Sequence, residues 1–182
     1  MAETKTIFSD TSSATEISKP TFYDYFHDLE DLYIIDELPA WCPAIRSKEA
    51  IRSGNKRNLV DPSITGAALG LSPAYFNTDF KTLGFVFESL CIRDLKIYSS
   101  GMNGEVSYYR DRYGLEADAV LHLKDGRYAL IEFKLGSKEI DMGAEHLCKI
   151  ERLIGEYNKK GKAGSTQISG SQACHNSHRI WL

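Results

Sequence analysis

The sequence GLEADAVLHLKDGRYALIEFKLG, residues 114–136, decides the predicted fold. It contains two segments in which apolar residues alternate with other residues, separated by a Lys-Asp-Gly turn, and this pattern is typical of a β-hairpin. A three-residue turn with Gly126 in the left-handed region places Asp118 opposite Glu132. The sequence therefore predicts that two carboxylates meet at one end of a hairpin.

The two faces of this hairpin decide between the possible registers. A three-residue turn pairs Leu123 with Arg127 and separates the residues cleanly, whereas a two-residue turn shifts every side chain to the other face of one strand. In the first register, one face is wholly apolar and contains Ala119, Leu121, Leu123, Ala129, Ile131, Phe133 and Leu135. The other face contains Asp118, Val120, His122, Tyr128, Leu130, Glu132 and Lys134.

The charged end of the second face has two interpretations. Neighbouring carboxylates repel and raise each other's pKa, and a divalent cation such as Mg²⁺ or Mn²⁺ relieves this repulsion. With Lys134 beside them to hold a water or a phosphate oxygen, Asp118 and Glu132 would suit metal-assisted phosphodiester hydrolysis. The alternative is a surface ion pair between Glu132 and Lys134. Val120 and Leu130 share the face, which indicates that it is covered and favours a functional cluster.

Asp118, the hairpin and the tripeptide Glu132-Phe133-Lys134 resemble the PD-(D/E)xK nuclease signature. That fold places a helix carrying a glutamate before three strands, followed by a helix and a last strand. The segment LGFVFESLCIRDLKIYSS, residues 83–100, resembles the first helix, with Glu88 in the matching place. The resemblance implies that Glu88, Asp118 and Glu132 are catalytic and bind the metal ion, and that Lys134 is catalytic by orienting the attacking water.

The chain also resembles a narrower family, the C-terminal domain of unknown function that follows the AAA module in many prokaryotic ATPases. The resemblance covers most of residues 21–157. The matching segments are TFYDYFHDLEDLYIIDELPAW, NKRNLVDPSITGAALGL, GFVFESLCIRDL and YYRDRYGLEADAVLHLKDGRYALIEFKLG. This resemblance implies an AAA-type ATPase module as the partner in relatives.

Length and charge narrow the function further. The 182 residues suffice for one domain with a small module, and the net charge of −3 means that any nucleic-acid surface must be local. There is no run of about eighteen apolar residues and no secretory leader, so we expect a cytoplasmic protein without a membrane partner. No Gly-rich phosphate loop of the G-x-x-x-x-G-K-[ST] type occurs, so no ATP site of that type is expected.

The N-terminal part is predicted to contain one amphipathic helix. Ser18 is a suitable N-cap, Pro20 suits a first turn, and apolar residues follow at helical spacing before a short strand at residues 34–38. By resemblance, this is the third helix and wing of a winged helix-turn-helix whose first helices are missing. Because the helix carries acidic rather than basic residues, packing or docking on the ATPase is favoured over DNA reading.

Basic residues precede the predicted nuclease-like domain and its acidic cluster. A solvated loop and a phosphate-backbone contact are both compatible with the stretch at residues 43–57. A second pair of arginines lies just before Glu116, which shares the face of Asp118 and is a further candidate acid. The predicted nucleic-acid-binding residues are Arg52, Lys56, Arg57, Arg110 and Arg112.

Local patterns predict the remaining elements. A short strand ends at Pro62 and is followed by a helix at residues 63–71 and a helical turn at residues 72–76. Apolar stripes predict helices at residues 82–98 and 140–158, and residues 106–110 read as a strand. The sequence thus predicts an α/β fold: a restriction-endonuclease-like core with a mixed sheet flanked by helices, preceded by a winged-helix remnant.

The last 22 residues break every pattern. Residues 161–182 lack periodicity, where the family would have a last apolar strand. Codons exist for which AGSTQISGSQACHNSHRIWL, shifted by one nucleotide, encodes QDLRKYPEAKPAIIAIGYG, which has the pattern of such a strand. We therefore expect a frameshifted or degraded tail, which would leave one edge of the sheet unpaired.

Three regions and two functions follow. Residues 1–57 form the winged-helix remnant and basic linker, residues 58–160 the nuclease-like domain, and residues 161–182 the irregular tail. The first function is Mg²⁺- or Mn²⁺-dependent hydrolysis of nucleic-acid phosphodiesters. The alternative is a non-catalytic regulatory or partner-binding module of an ATPase, or an inactive gene remnant, because fold alone does not decide function.

Overall fold

The computed structural model describes residues 2–42, 54–111 and 113–161. The helices are α1 (Thr4–Ala14), α2 (Lys19–Asp31), α3 (Pro62–Ala68), a 3₁₀ turn (Pro73–Asn77), α4 (Phe80–Ser100) and α5 (Ser137–Gly161). The strands are β1 (Ala2–Glu3), β2 (Ile35–Leu38), β3 (Lys56–Leu59), β4 (Gly104–Arg110), β5 (Glu116–Leu123) and β6 (Tyr128–Ile131). The α/β class is confirmed.

The first sheet has three antiparallel strands in the order β1-β3-β2. Helix α2 lies beside it and buries Phe22 and Phe26. The predicted start of this helix is confirmed, because the Ser18 hydroxyl accepts a hydrogen bond from the Thr21 amide and Pro20 lies in the first turn. The winged-helix interpretation of this region stays a prediction.

The second sheet is an antiparallel meander of β4, β5 and β6, and it contains the predicted hairpin. Ala119 pairs with Ile131, and the Leu123 amide donates a 2.8 Å hydrogen bond to the Arg127 carbonyl. Gly126 has a φ of 89°, a conformation that costs glycine little because it has no Cβ. The predicted register is therefore confirmed.

Each face of the second sheet is covered by one of the two long helices. The predicted apolar face packs under α4, where the buried residues are Leu38, Ile92, Val106, Tyr108 and Ala119. The opposite face packs under α5, with Ala117, Val120, Ile150 and Ile154 buried. Since α5 covers the face of Asp118, the expectation that this face is not simply solvated is confirmed.

The two sheets are linked, and the described strands do not form the mixed sheet that the sequence predicts for the nuclease-like core. Within the described residues, all strand pairs of both sheets are antiparallel, and a parallel bridge between Ala40 and Tyr108 joins the end of β2 to β4. Lys96 of α4 adds a 2.6 Å ion pair to Asp36 of β2. The bridge forms because the chain leaves β2 at Pro39, whose carbonyl accepts the Tyr108 amide.

Some predictions concern boundaries. The predicted division between residues 57 and 58 falls inside β3, whereas the helices and strands from α4 to α5 follow the predicted order.

The irregular tail at residues 162–182 lies outside the described residues, so the frameshift hypothesis stays a prediction. Among the helices of the described ranges, none has both the length and the apolar character required to cross a membrane.

Candidate active site

The site is built where β5 begins and the chain leaves β6. Asp118 lies in β5, whereas β6 ends at Ile131, so Glu132 lies one residue beyond the strand ladder. The Phe133 amide donates a 2.8 Å hydrogen bond to Asp118 Oδ2. Beyond Ile131, where the backbone pairing of β5 and β6 ends, this contact holds residues 132–134 beside the Asp118 carboxylate. The predicted register likewise places Glu132 near Asp118.

Glu132 is the more enclosed member of the ion pair that it forms with Lys134. Its side chain is 12 % exposed, and Lys134 Nζ lies 2.7 Å from Oε1. His146 of α5 donates from Nδ1 to the other oxygen over 3.2 Å. Gly143, about one turn earlier on α5, faces this arrangement, because a Cβ there would make an ordinary contact of 3.6 Å with the Glu132 carboxylate. Helix α5 thus covers the site on the face of the sheet that carries Asp118.

Three further charged residues lie close to Asp118. Glu88 lies one turn before the buried Ile92 on α4, and the charges of Asp118, Lys56 and Glu116 all act on it. Lys56 of β3 is 5 % exposed and forms an ion pair with Glu116 Oε1. The structure therefore brings the four predicted catalytic residues into one region, together with Glu116, the further candidate acid, and Lys56, which was predicted to contact nucleic acid.

Burial dominates the electrostatics of the carboxylates. It raises the pKa of Asp118, and the Glu132 charge adds to this effect while the Phe133 amide opposes it. Burial also raises the pKa of Glu88, with a further contribution from Asp118. Burial lowers the pKa of Lys134, but the hydrogen bond and charge of Glu132 outweigh it, so this pKa is raised. Several shifted pKa values in one cluster are typical of functional sites.

The predicted nucleic-acid-binding residues that the structure describes form ion pairs with glutamates. Arg57 Nε lies 3.2 Å from Glu30 Oε1, and Arg57 also forms an ion pair with Glu37. Lys56 is buried, so little of its surface can meet a phosphate. Arg110 is half exposed, with Nε 3.7 Å from Glu116 Oε2, and lies at the rim of the cluster. Arg52 and Arg112 lie outside the described residues.

Sequence reasoning missed His146. The residue occurs within the predicted helix, four residues before Ile150 and eight before Ile154, which are both fully buried. Residues at this spacing share a helix face, so the pattern itself indicates that His146 points towards the sheet. A polar residue on the apolar face of α5 was therefore the signal that could have identified it.

The carboxylates of the cluster suit one Mg²⁺ or Mn²⁺ ion held by two protein ligands better than a metal ion held by three. Within the described residues, no group of three or more His, Cys, Asp and Glu side chains converges to hold a metal ion. Mg²⁺ is, however, commonly bound by one or two carboxylates together with waters and substrate phosphates. Asp118 and Glu132 supply such a pair: Asp118 Oδ1 accepts no hydrogen bond within the described chain, and Glu132 follows directly after the last ladder pair, Ala119 with Ile131.

Comparison with known proteins gives two family matches. The profile of the domain of unknown function DUF4143 matches residues 83–173, which include α4, the hairpin and α5. Domains of this family are commonly found with AAA ATPases. The profile of another domain of unknown function, DUF8612, matches residues 1–75, which include α1, α2 and the first sheet. No curated protein and no solved structure matches the chain.

Proposed function

The chain belongs to the DUF4143 family, and from the geometry of its charged cluster we propose that it hydrolyses nucleic-acid phosphodiesters with the help of a divalent metal ion. One observation carries this proposal: Asp118 and Glu132 lie at the same end of a hairpin, both partly or largely buried, with Lys134 bonded to Glu132. Two like charges brought together under a helix repel each other, and a divalent cation would relieve the part of this repulsion that Lys134 does not offset.

The order of the elements supports the same function. Helix α4 carries Glu88 and is followed by three antiparallel strands and helix α5. This is the order of the PD-(D/E)xK nuclease fold up to its last strand. Fold analogy alone does not establish activity, so the proposal depends on the placement of the side chains.

Each residue has a proposed role. Asp118 and Glu132 would hold Mg²⁺ or Mn²⁺, and the bound ion would polarise the phosphate and activate water for attack. Lys134 would orient that water or a phosphate oxygen, since its ammonium is already fixed 2.7 Å from Glu132. Glu88 would support the site from α4, where burial and the Asp118 charge raise the pKa of its carboxyl.

A second function is favoured by a different observation. Lys56 and Arg57 are committed to carboxylates, and the helix α2 displays acidic residues rather than bases. Such a surface suits a protein partner better than a phosphate backbone. The alternative is a non-catalytic module that regulates or delivers an AAA-type ATPase, the partner that commonly accompanies this family.

Cleavage assays separate the two functions. Purified chain is incubated with plasmid and single-stranded DNA and with RNA, in Mg²⁺, Mn²⁺ or EDTA. We expect metal-dependent cleavage that falls at least about a hundredfold in Asp118→Asn and Lys134→Met. The matched controls are Asp125→Asn and Lys124→Met, which remove the same charges at the exposed turn of the same hairpin.

The controls make each result informative. Cleavage that persists in both site variants would come from a contaminant or another site, and the hydrolase proposal would be rejected. A chain that is folded by circular dichroism, binds Mn²⁺ and cuts none of these substrates would favour the regulatory module. In that case a pull-down with an AAA ATPase of the same genome, repeated with charge-reversed α2 variants, tests the partner.

A further inference from the structure

Lys56 belongs to the segment that matches DUF8612, but its side chain lies in the charged cluster of the segment that matches DUF4143. It belongs to β3, within residues 1–75, but its ammonium pairs with Glu116 of β5. The side chain crosses the ring of Tyr108, with Nζ 4.6 Å from the ring centroid. The Tyr108 hydroxyl donates a 2.6 Å hydrogen bond to the Gly54 carbonyl, two residues before Lys56, and thereby fixes the approach of β3.

The charge of Lys56 acts beyond its direct partner. Its partner Glu116 lies two residues before Asp118 on the same face of β5, so the ammonium lies beside the proposed metal site. It therefore lies close enough to influence the proposed metal site, and its own burial removes the screening that water would provide. An ammonium in this position does part of what a metal ion would do, since it offsets carboxylate repulsion at low dielectric.

The balance of charges in the cluster can be counted. The carboxylates are Glu88, Asp118, Glu116 and Glu132, and the enclosed ammonium groups are Lys56 and Lys134. When all four carboxylates are ionised, the remainder is two negative charges, which one divalent cation balances. Arg110 is half exposed, so solvent screens its contribution more strongly.

We propose that Lys56 is a built-in cation of the candidate site, which positions Glu116 and takes the place of a second metal ion, so that the site binds one divalent cation. This inference rests on the metal site of the proposed function. The site is composite: the N-terminal sheet supplies the lysine, and the α4–α5 segment supplies the carboxylates. Lys56 acts through Glu116 and through its charge, so it is a positioning residue.

Mn²⁺ binding to the full chain tests this inference without any measurement of activity. Electron paramagnetic resonance titration of free Mn²⁺ gives the stoichiometry and the dissociation constant. We expect one ion per wild-type chain. In Lys56→Met we expect a second ion, or a dissociation constant lowered by about tenfold or more, because an ammonium that competes for the carboxylates is removed.

Two further variants separate charge from structure. Lys96→Met removes another lysine that ties the first sheet to the rest, through its 2.6 Å bond to Asp36, and should bind Mn²⁺ like the wild type. Glu116→Gln breaks the same ion pair as Lys56→Met but lowers the negative charge. We therefore expect Glu116→Gln to weaken Mn²⁺ binding, which is the opposite direction.

The outcomes are distinct for the two proposals. If Lys56→Met and Glu116→Gln change the Mn²⁺ affinity in the same direction, Lys56 only contributes a structural ion pair. The same holds if Lys56→Met leaves Mn²⁺ binding unchanged while Glu116→Gln is folded. The inference is also overturned if neither the wild type nor Lys56→Met binds Mn²⁺. One bound ion that Lys56→Met alters, in a chain that cuts no nucleic acid, supports the inference and rejects the hydrolase function.

Discussion

Asp118 should make folding stability depend on pH. Burial raises its pKa in the folded chain above the ordinary value of 3.8, so the folded state binds its proton more tightly than the unfolded state. The stabilisation is complete below the unfolded pKa and is lost as pH rises through the folded pKa. In Asp118→Asn this loss is absent, so in EDTA the variant should gain stability relative to the wild type between pH 4 and the folded pKa, and then remain level.

Urea denaturation across pH 4 to 8 measures this effect. Asp125→Asn is the control, because the hydrogen bonds from Arg127 lower the pKa of exposed Asp125, and its removal should have the opposite sign. Glu88→Gln should resemble Asp118→Asn, since burial raises the pKa of Glu88 as well. If wild type and Asp118→Asn show parallel pH profiles, Asp118 is not protonated preferentially in the folded chain.

His146 should set the position of Glu132. Its Nδ1 holds Oε2, while Lys134 holds Oε1, so both oxygens of the carboxylate are oriented. Outer partners of metal ligands typically contribute about ten- to a hundredfold to metal affinity. We therefore expect His146→Ala to weaken Mn²⁺ binding by about that factor, measured by calorimetry, with an unchanged circular dichroism spectrum.

A matched histidine provides the control for this prediction. His27 also contacts a glutamate, with 3.1 Å between Nδ1 and Glu30 Oε2, but it lies on the exposed part of α2. His27→Ala should leave Mn²⁺ affinity unchanged. Equal effects of the two substitutions would show that His146 acts through global stability rather than through Glu132.

At the scale of elements, local patterns predicted the second sheet well. The hairpin register follows from one glycine and from alternation along two strands, and both are local features of the sequence. The helix α4 follows from its apolar stripe and α5 from its 3.6-residue periodicity, and the observed helices extend slightly beyond the predicted residues at both ends. Ends are less predictable because caps and neighbouring contacts decide the last turn.

The composition of the site was less predictable, for physical reasons. Asp118, Glu132 and Lys134 are linked by one hairpin, so counting residues brings them together. Lys56 reaches Glu116 only through tertiary contacts between the two sheets, and a basic stretch in a sequence does not reveal which of its lysines is buried. The parallel bridge from Ala40 to Tyr108 is equally non-local, so local patterns could not show how the two sheets are linked.

Helix α5 should tolerate a methyl group but not a long side chain at Gly143. A Cβ there would make ordinary contacts of 3.6 Å with Glu132 and 3.7 Å with Lys134. Because alanine favours helices more than glycine does, Gly143→Ala should raise the free energy of unfolding by about 0.5–1 kcal/mol. Gly143→Leu should instead displace the Glu132–Lys134 pair and cost about 1–3 kcal/mol.

Gly155 of the same helix is the control position. No atom lies within 4 Å of a Cβ added there. Gly155→Ala should stabilise the chain as Gly143→Ala does, and Gly155→Leu should leave Mn²⁺ binding and cleavage intact. Urea denaturation and Mn²⁺ titration of the four variants check this. A harmless Gly143→Leu would mean that α5 does not close the site.

For the whole molecule, the distribution of charge limits how nucleic acid can bind. The chain has a net charge of −3, and Lys56 and Arg57 form ion pairs with glutamates. Affinity for B-DNA falls with salt in proportion to the number of phosphates that basic residues neutralise, with a slope of about −0.9 per phosphate. We therefore expect a shallow slope, corresponding to about three phosphates or fewer.

Fluorescence anisotropy with a labelled duplex, between 25 and 200 mM salt, measures this slope. Arg110→Gln, which changes a half-exposed arginine at the rim of Glu116, should reduce the slope by about one phosphate. Arg57→Gln should not change it, because Arg57 is held by Glu30 and Glu37. A slope near six phosphates, or one that Arg57→Gln reduces, would mean that the first sheet releases its basic residues on binding. That result would return Arg57 of β3 to the nucleic-acid interface.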